Sequence, residues 1–250
     1  VVLTDEGRLL YDHVSEAFEA LNEGEEKLKR SIELGVGQLK IGVSSTLCKY
    51  MLLPYLKEFI HRNPHISISI ECQSTNETLK LLDDDKIDIG LIGKPTSLKT
   101  FNFYYLDNIE DIFVTTKDYL RNLSARGVKK SEILQNSTLM LLDKGNMTRK
   151  YIDDYLQENQ IHVKDSIDIS NMDLLIDFAK IGVGVACVIK SIVSKELADG
   201  TLIEIPLGIP IHKREVGFAY KESSKLSTSL QTFIKFYESY TPVSYTHLRA

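Results

Sequence analysis

Residues 38–92 constrain the fold most, because their hydrophobic period switches repeatedly between two and about 3.6 residues. Leu39, Ile41 and Val43 alternate with Lys40 and Gly42, the pattern of a strand. Ser44-Ser45-Thr46 supplies an N-cap, and Leu47, Met51, Leu52, Tyr55, Leu56, Phe59 and Ile60 follow at helical spacing as far as Asn63-Pro64. Pro54, inside that stretch, predicts a kink or a split. Ile66-Ser-Ile-Ser-Ile-Glu-Cys72 alternates again, and Ser74-Thr-Asn-Glu77 is a capping box ahead of Leu79, Leu81 and Leu82. Ile87–Ile92 closes the series as a third strand. A β-α-β-α-β order with short loops requires a mostly parallel sheet with right-handed crossovers.

The pattern then restarts. Strands are expected near Phe101–Leu106, Ile112–Thr116 and Thr138–Leu142, and a helix opened by Asn146 or Thr148 runs through Tyr151, Ile152, Tyr155 and Leu156. A short strand at Ile167–Ile169 leads to a cap at Ser170–Asp173 and a helix over Leu174–Ala179. Gly182 and Gly184 separate that helix from a buried strand, Val185–Ile189. Leu202–Ile205 and Glu215–Tyr220 read as further strands, with Pro206-Leu-Gly-Ile-Pro210 between them as a crossover. Leu230, Phe233, Ile234 and Tyr237 give a closing amphipathic helix. Two α/β units joined by crossings near 93–98 and 206–211 would leave a cleft between them.

The composition agrees. Of 250 residues, 43% are hydrophobic and 26% charged, the balance of a soluble globular protein. No apolar run approaches the roughly 20 residues that a bilayer span needs. Cys48, Cys72 and Cys187 are far apart in sequence and sit in apolar stretches, which suggests reduced structural thiols in a cytoplasmic setting. His61-Arg-Asn-Pro-His65 has the spacing of a metal pair, but Pro64 breaks the helix that would align the rings, so no metal site is expected. No phosphate loop, CxxC pair or nucleophile elbow occurs, so neither a cofactor nor a catalytic residue is expected.

Ahead of the α/β region lies a helix of another kind. Leu3, Gly7, Leu10, Val14, Ala17, Leu21, Gly24 and Leu28 fall at alternating steps of four and three, the seam of a coiled coil. Residues 1–37 carry nine acids and four bases, an excess equal to the net charge of −5 for the whole chain. The stripe either packs on the chain's own globular part or meets another helix, and the two glycines favour close approach of another helix. Leu10, Val14, Ala17, Leu21 and Leu28 are the expected dimerisation residues. Val1-Val2-Leu3 reads as the end of a hairpin whose other strand is missing, so the chain reads as a fragment of a larger protein. Residues 242–250 carry no periodicity and read as a non-native tail.

Several motifs carry a family resemblance. Leu3-Thr-Asp-Glu-Gly-Arg-Leu-Leu10 resembles the end of the wing and the start of the linker helix in LysR-type transcriptional regulators. Gly37-Gln-Leu-Lys-Ile-Gly42, Leu53-Pro-Tyr-Leu-Lys-Glu-Phe59, Asn63-Pro64, Asp88-Ile-Gly-Leu-Ile92 and Gly182-Val-Gly-Val-Ala186 match the family's pattern in order. The resemblance implies two Rossmann-like subdomains joined by two crossovers, like type 2 periplasmic binding proteins, preceded by a long linker helix. Residues 1–36 would be wing end and dimerising linker, 37–96 plus 209–241 the first effector-binding subdomain, and 97–208 the second. It also implies a cytoplasmic homodimer or homotetramer that senses a small-molecule effector. DNA would be read through a missing N-terminal domain only. A solute-binding protein of a transporter shares the fold and is the alternative; an enzyme on this fold would need a catalytic constellation that is not apparent.

In an open α/β sheet, ligands collect beyond the carboxyl ends of the strands, where helix N-termini present unpaired N–H groups. The matching positions are Ser44, Ser45, Thr46, Gln73, Ser74, Thr75, Gly93 and Lys94 from the first unit, and Asn146, Thr148, Arg149, Ser170 and Asn171 from the second. None is acidic, and Lys94 and Arg149 are cationic. Such a set suits a small anion, most simply a carboxylate. Singly, each Ser or Thr is also explained as a helix cap.

Overall fold

The computed structural model describes residues 3–33, 37–95, 100–221 and 226–240. Helix α1 (Asp5–Glu33) is followed by β1 (Gly37–Val43), α2 (Ser45–Leu47), α3 (Leu53–Arg62), β2 (Ile66–Cys72), α4 (Thr75–Asp83), β3 (Ile89–Gly93) and β4 (Phe101–Ile109). Next come β5 (Asp111–Thr115), α5 (Lys117–Ala125), α6 (Ile133–Asn136), β6 (Thr138–Leu142), α7 (Met147–Glu158), β7 (Asp165–Ile169) and α8 (Met172–Lys180). The chain continues through β8 (Val185–Ile189), α9 (Ser194–Ala198), β9 (Ile203–Glu204), β10 (Arg214–Lys221) and α10 (Thr228–Ser239). The tail at 242–250, Val1, Val2 and the Leu28 side chain lie outside the described residues.

These strands form two five-stranded sheets, ordered β2-β1-β3-β10-β4 and β7-β6-β8-β5-β9. Three parallel strands open each sheet and an antiparallel strand follows, β10 from beyond the return crossing in the first and β5, its own first strand, in the second. The expected pair of α/β units is therefore present, built twice to one plan. One boundary moves. Phe101–Ile109 pairs antiparallel with β10 in the first sheet, so the chain crosses at Glu110 rather than near 93–98. Alternation identifies a strand but not the sheet it joins, which is why the boundary at 96/97 was misplaced. The return crossing lies between β9 and β10, over the expected Pro206–Pro210.

Pro54 splits its helix as expected. The five residues Cys48–Leu52 form a π turn, and the Leu53 N–H donates to the Cys48 carbonyl. Pro54 has no N–H to offer the carbonyl four residues back, and the wider turn absorbs the mismatch. Close packing fixes the next helix: Gly42 and Gly90 are neighbours in register, and a Cβ at either would come within 2.8 and 2.7 Å of the Thr78 methyl. Their absent side chains let α4 approach the sheet and aim its N-terminus beyond the strand ends. Helix α5, missed in the sequence, is capped by Thr116, whose hydroxyl accepts the Tyr119 N–H.

One continuous apolar core joins the sheets, with Leu39, Ile41 and Phe218 on one side and Met140, Leu142 and Val188 on the other. Helices α3 and α10 seal it through rings in edge contact, Phe59 to Phe233 at 5.0 Å and Phe233 to Phe218 at 5.3 Å. Helix α1 behaves differently: Leu10, Val14 and Leu21 remain 65%, 47% and 70% exposed. Among the described residues, the stripe therefore does not pack on the chain's own globular part. It is also wider than the heptad seam, because Leu9, Tyr11 and Phe18 are equally exposed.

Candidate functional site

Beyond the carboxyl ends of β1, β2, β3 and β6 lies a cavity of about 430 Å³. Three helices end on it. The Ser44 hydroxyl accepts the Leu47 N–H at 3.3 Å, the Ser74 hydroxyl accepts the Glu77 N–H at 3.3 Å, and the Asn146 side-chain oxygen Oδ1 accepts the Thr148 N–H at 2.8 Å. Each cap satisfies one terminal donor. The other N–H groups of a first turn have no acceptor within their helix, and their partial positive charge faces the cavity.

Of the expected positions, Ser44, Thr46, Ser74, Thr75, Gly93, Lys94, Asn146 and Thr148 line this space. Ser45, Gln73, Arg149, Ser170 and Asn171 do not. Ser45 and Gln73 are exposed elsewhere, each a residue away from one that points inward. Ser170 and Asn171, which follow β7, are not among the residues that line the cavity. Asn171 still caps α8, accepting the Leu174 N–H at 3.0 Å.

Arg149 is the largest correction. On α7, Met147, Thr148, Lys150, Tyr151 and Asp154 face the cavity, which turns Arg149, Ile152 and Leu156 toward the sheet. Its guanidinium donates to Asp153 at 2.8 Å, to the Leu142 carbonyl at 2.9 Å and to Asp168 at 2.5 Å. It clamps α7 to β6 and β7 instead of meeting a ligand. Arg149→Ala should therefore lower stability, not effector affinity. Its partners Asp153 and Asp168 are 47% and 42% exposed and regain hydration, so about 1–3 kcal/mol is expected, read by urea unfolding.

The cationic lining comes instead from residues that strand-end reasoning passed over: Lys150, Lys213 and Arg214 join Lys94. Two carboxylates, Asp154 and Glu215, also line the wall, against the expectation of an acid-free site. Lys94 pairs with Glu215 at 2.5 Å and Lys213 with Glu110 at 3.0 Å. Burial would push the Glu110 carboxyl up, yet Lys213 and Lys190 together hold it below the usual range. Arg214 binds Asp111 through two bonds of 2.7 and 2.9 Å and donates to the Thr148 hydroxyl at 3.2 Å. Its guanidinium carbon lies 5.2 Å from the Tyr151 ring centroid. The only sequence hint of Arg214 was its place at the start of β10, immediately after the return crossing.

A second contact spans the units. Asp173, in the first turn of α8, accepts from Lys49 Nζ at 2.6 Å and from the Tyr50 hydroxyl at 2.5 Å. The bonds from Lys49 and Tyr50 hold the Asp173 carboxyl below its ordinary range. The π turn thus carries a clasp to the other sheet, next to the cavity-lining Thr46 and Leu47. Among the described residues, no group of three metal-ligating side chains occurs and no helix is long and apolar enough to cross a membrane.

Two mixed sheets with a polar cavity at their facing ends define a two-lobed ligand-binding protein. Residues 33–241 match the LysR substrate binding domain, and the chain belongs to that family. It is 23% identical over 237 residues to the HTH-type transcriptional regulator YeiE of Escherichia coli, covering 94% of this chain and 78% of that protein. The Synechocystis PCC6803 CcmR regulatory domain, solved in complex with 2-PG, is similar with a TM-score of 0.68 and 18% identity, over 80% of this chain and 95% of that one. The effector binding domain of QuiR, solved with shikimate, gives 0.64 and 16%, over 80% and 94%. The relatives are transcriptional regulators, so the solute-binding alternative is not favoured.

Proposed function

We propose that this chain is the effector-sensing part of a LysR-type regulator and takes a small anionic metabolite into the 430 Å³ cavity. One observation carries the reading: three helix N-termini and the side chains of Lys94, Lys150, Lys213 and Arg214 surround one space. Thr46, Thr75 and Thr148 add hydroxyls that orient such a ligand. Asp154 and Glu215 favour a ligand that also carries hydroxyl or ammonium donors. Shikimate, the carboxylate bound by QuiR, has that combination of acid and hydroxyls. The reading includes no catalytic step and no cofactor, and it assigns the protein to the cytoplasm, where a transcriptional regulator meets its metabolite. DNA contact belongs to a helix-turn-helix domain like those named in the relatives. Helix α1 joins two copies through Leu10, Val14, Ala17, Leu21 and Leu28.

Thermal-shift screening of hydroxy-carboxylates, amino acids, sulfate and neutral sugars tests the ligand class. Carboxylates should raise the melting temperature, and neutral sugars should not. Thr46→Ala should weaken the best ligand roughly ten- to hundredfold, the loss of a hydrogen bond to a charged group of about 1.5–3 kcal/mol. Arg149→Ala should leave that affinity unchanged. A neutral sugar that stabilises the protein, indifferent to Thr46→Ala, would sink the proposal.

A further inference from the structure

Two of the three cysteines, distant in sequence, meet at one corner of the first sheet. Cys72 ends β2 in register with Val43, the last residue of β1. Ser44 follows, and the Cys48 N–H donates to the Ser44 carbonyl at 2.8 Å, so Cys48 stands one helical turn above the same corner. Both are free thiols. Cys72 is exposed, and Cys48 is half-buried against the core. Burial first, and then direct interaction with Cys72, pushes the Cys48 thiol above its ordinary range. Cys187, by contrast, is buried in β8 of the other sheet. Cys72, expected as a structural thiol because of its apolar stretch, is thus the one of the three that is exposed.

The position matters more than the pairing. Cys48 opens the π turn, between Thr46 and Leu47, which line the cavity, and Lys49 and Tyr50, which clasp Asp173 across the units. We propose that Cys48 and Cys72 form a reversible thiol–disulfide site, oxidised by hydroperoxides, that shifts this turn and so couples redox state to the cavity and the clasp. The disulfide chemistry stands alone; only its regulatory meaning rests on the effector-binding reading. The exposed Cys72 thiolate attacks one peroxide oxygen, the O–O bond breaks, and the departing oxygen leaves as water or an alcohol after taking a proton. The Cys48 sulfur then attacks the sulfenic sulfur of Cys72. An S–S bond forms, the S–O bond breaks, and the oxygen leaves as water with the Cys48 proton. The peroxide is reduced by two electrons and the thiol pair is oxidised by two. A small dithiol reverses the bond by exchange. Cys72 reacts first because it is accessible, and Cys48 resolves because burial disfavours its thiolate. The disulfide fixes the two sulfurs about 2.05 Å apart, which draws Cys48 toward β2.

The test uses the whole chain treated with hydrogen peroxide, then alkylated and mapped by mass spectrometry without reduction. Two of three thiols should disappear into a linked pair of peptides bearing Cys48 and Cys72, and dithiothreitol should restore them. Cys187 should stay reduced. Hydrogen exchange over 46–52 and 172–175 should change on oxidation, while exchange over 138–142 should not. Cys72→Ser should abolish both the link and the exchange change. Survival of all three thiols, or an equal exchange response in Cys72→Ser, would overturn the proposal. A link that leaves exchange at 46–52 and 172–175 unaltered would remove the coupling. Because no effector enters this experiment, its failure is separable from failure of the thermal-shift screen.

Discussion

Asp111→Ala should destabilise the protein by about 3–5 kcal/mol, the cost of leaving one member of a buried ion pair alone. Asp111 has 0% side-chain exposure and Arg214 15%. Their positions explain why the cost is high. Asp111 opens β5 just after the first crossing, and Arg214 opens β10 just after the return, paired in register with Ile109. The bidentate bond thus pins the two connections between the lobes. Burial pushes the Asp111 carboxyl up, and Arg214 pulls it down only in part. Desolvation therefore outweighs much of the attraction, and the pair contributes little net stability over an apolar pair of equal volume. What it supplies is a fixed angle between lobes and a guanidinium held beside Thr148. The double variant Asp111→Leu with Arg214→Met should accordingly recover most of the loss. A melting temperature lowered by on the order of 10 °C in the single variant, and largely restored in the double, is the expected result. A single variant as stable as the parent would show that the lobes hold their angle without the pair.

This pin also marks the limit of what the sequence reveals. Strand alternation and caps were legible because each is local: Leu39, Ile41 and Val43 alternate, and Ser44, Ser74 and Asn146 precede helices they do cap. Those caps brought six cavity residues with them, and the end of β3 brought Gly93 and Lys94. Arg149 was misread because a charged residue one step past Thr148 looks solvent-facing until the helix rotation is known. Arg214, Lys213 and Tyr151 were missed because they reach the cavity through β10 and the second turn of α7, not through a strand end. The sheet membership of Phe101–Ile109 depends on a partner more than a hundred residues away, which no local window contains. Cys48 and Cys72 illustrate the same point, since only parallel register brings them to one corner.

Association through α1 should be lost when charge enters its exposed face. Leu10 and Leu21 are 65% and 70% exposed, uncovered by the described residues of the globular part. Gly24 has no atom within 4 Å of the place its Cβ would occupy, so the helix surface there is open to a second backbone. Two copies would bury Leu10, Val14 and Leu21 together, and each fully buried Leu or Val contributes about 1.5–3 kcal/mol. Tyr11 and Phe18, seven residues apart, flank the seam and extend the apolar face beyond a strict two-stranded contact. Leu10→Glu with Leu21→Glu places like charges opposite one another and removes that burial from both chains. The double variant should sediment as a monomer, or as a far weaker dimer, at micromolar concentration. Residues 37–240, measured separately, report any contact made by the globular part. If the full chain is monomeric from the outset, or if the charged variant keeps the parental mass, α1 is not the interface.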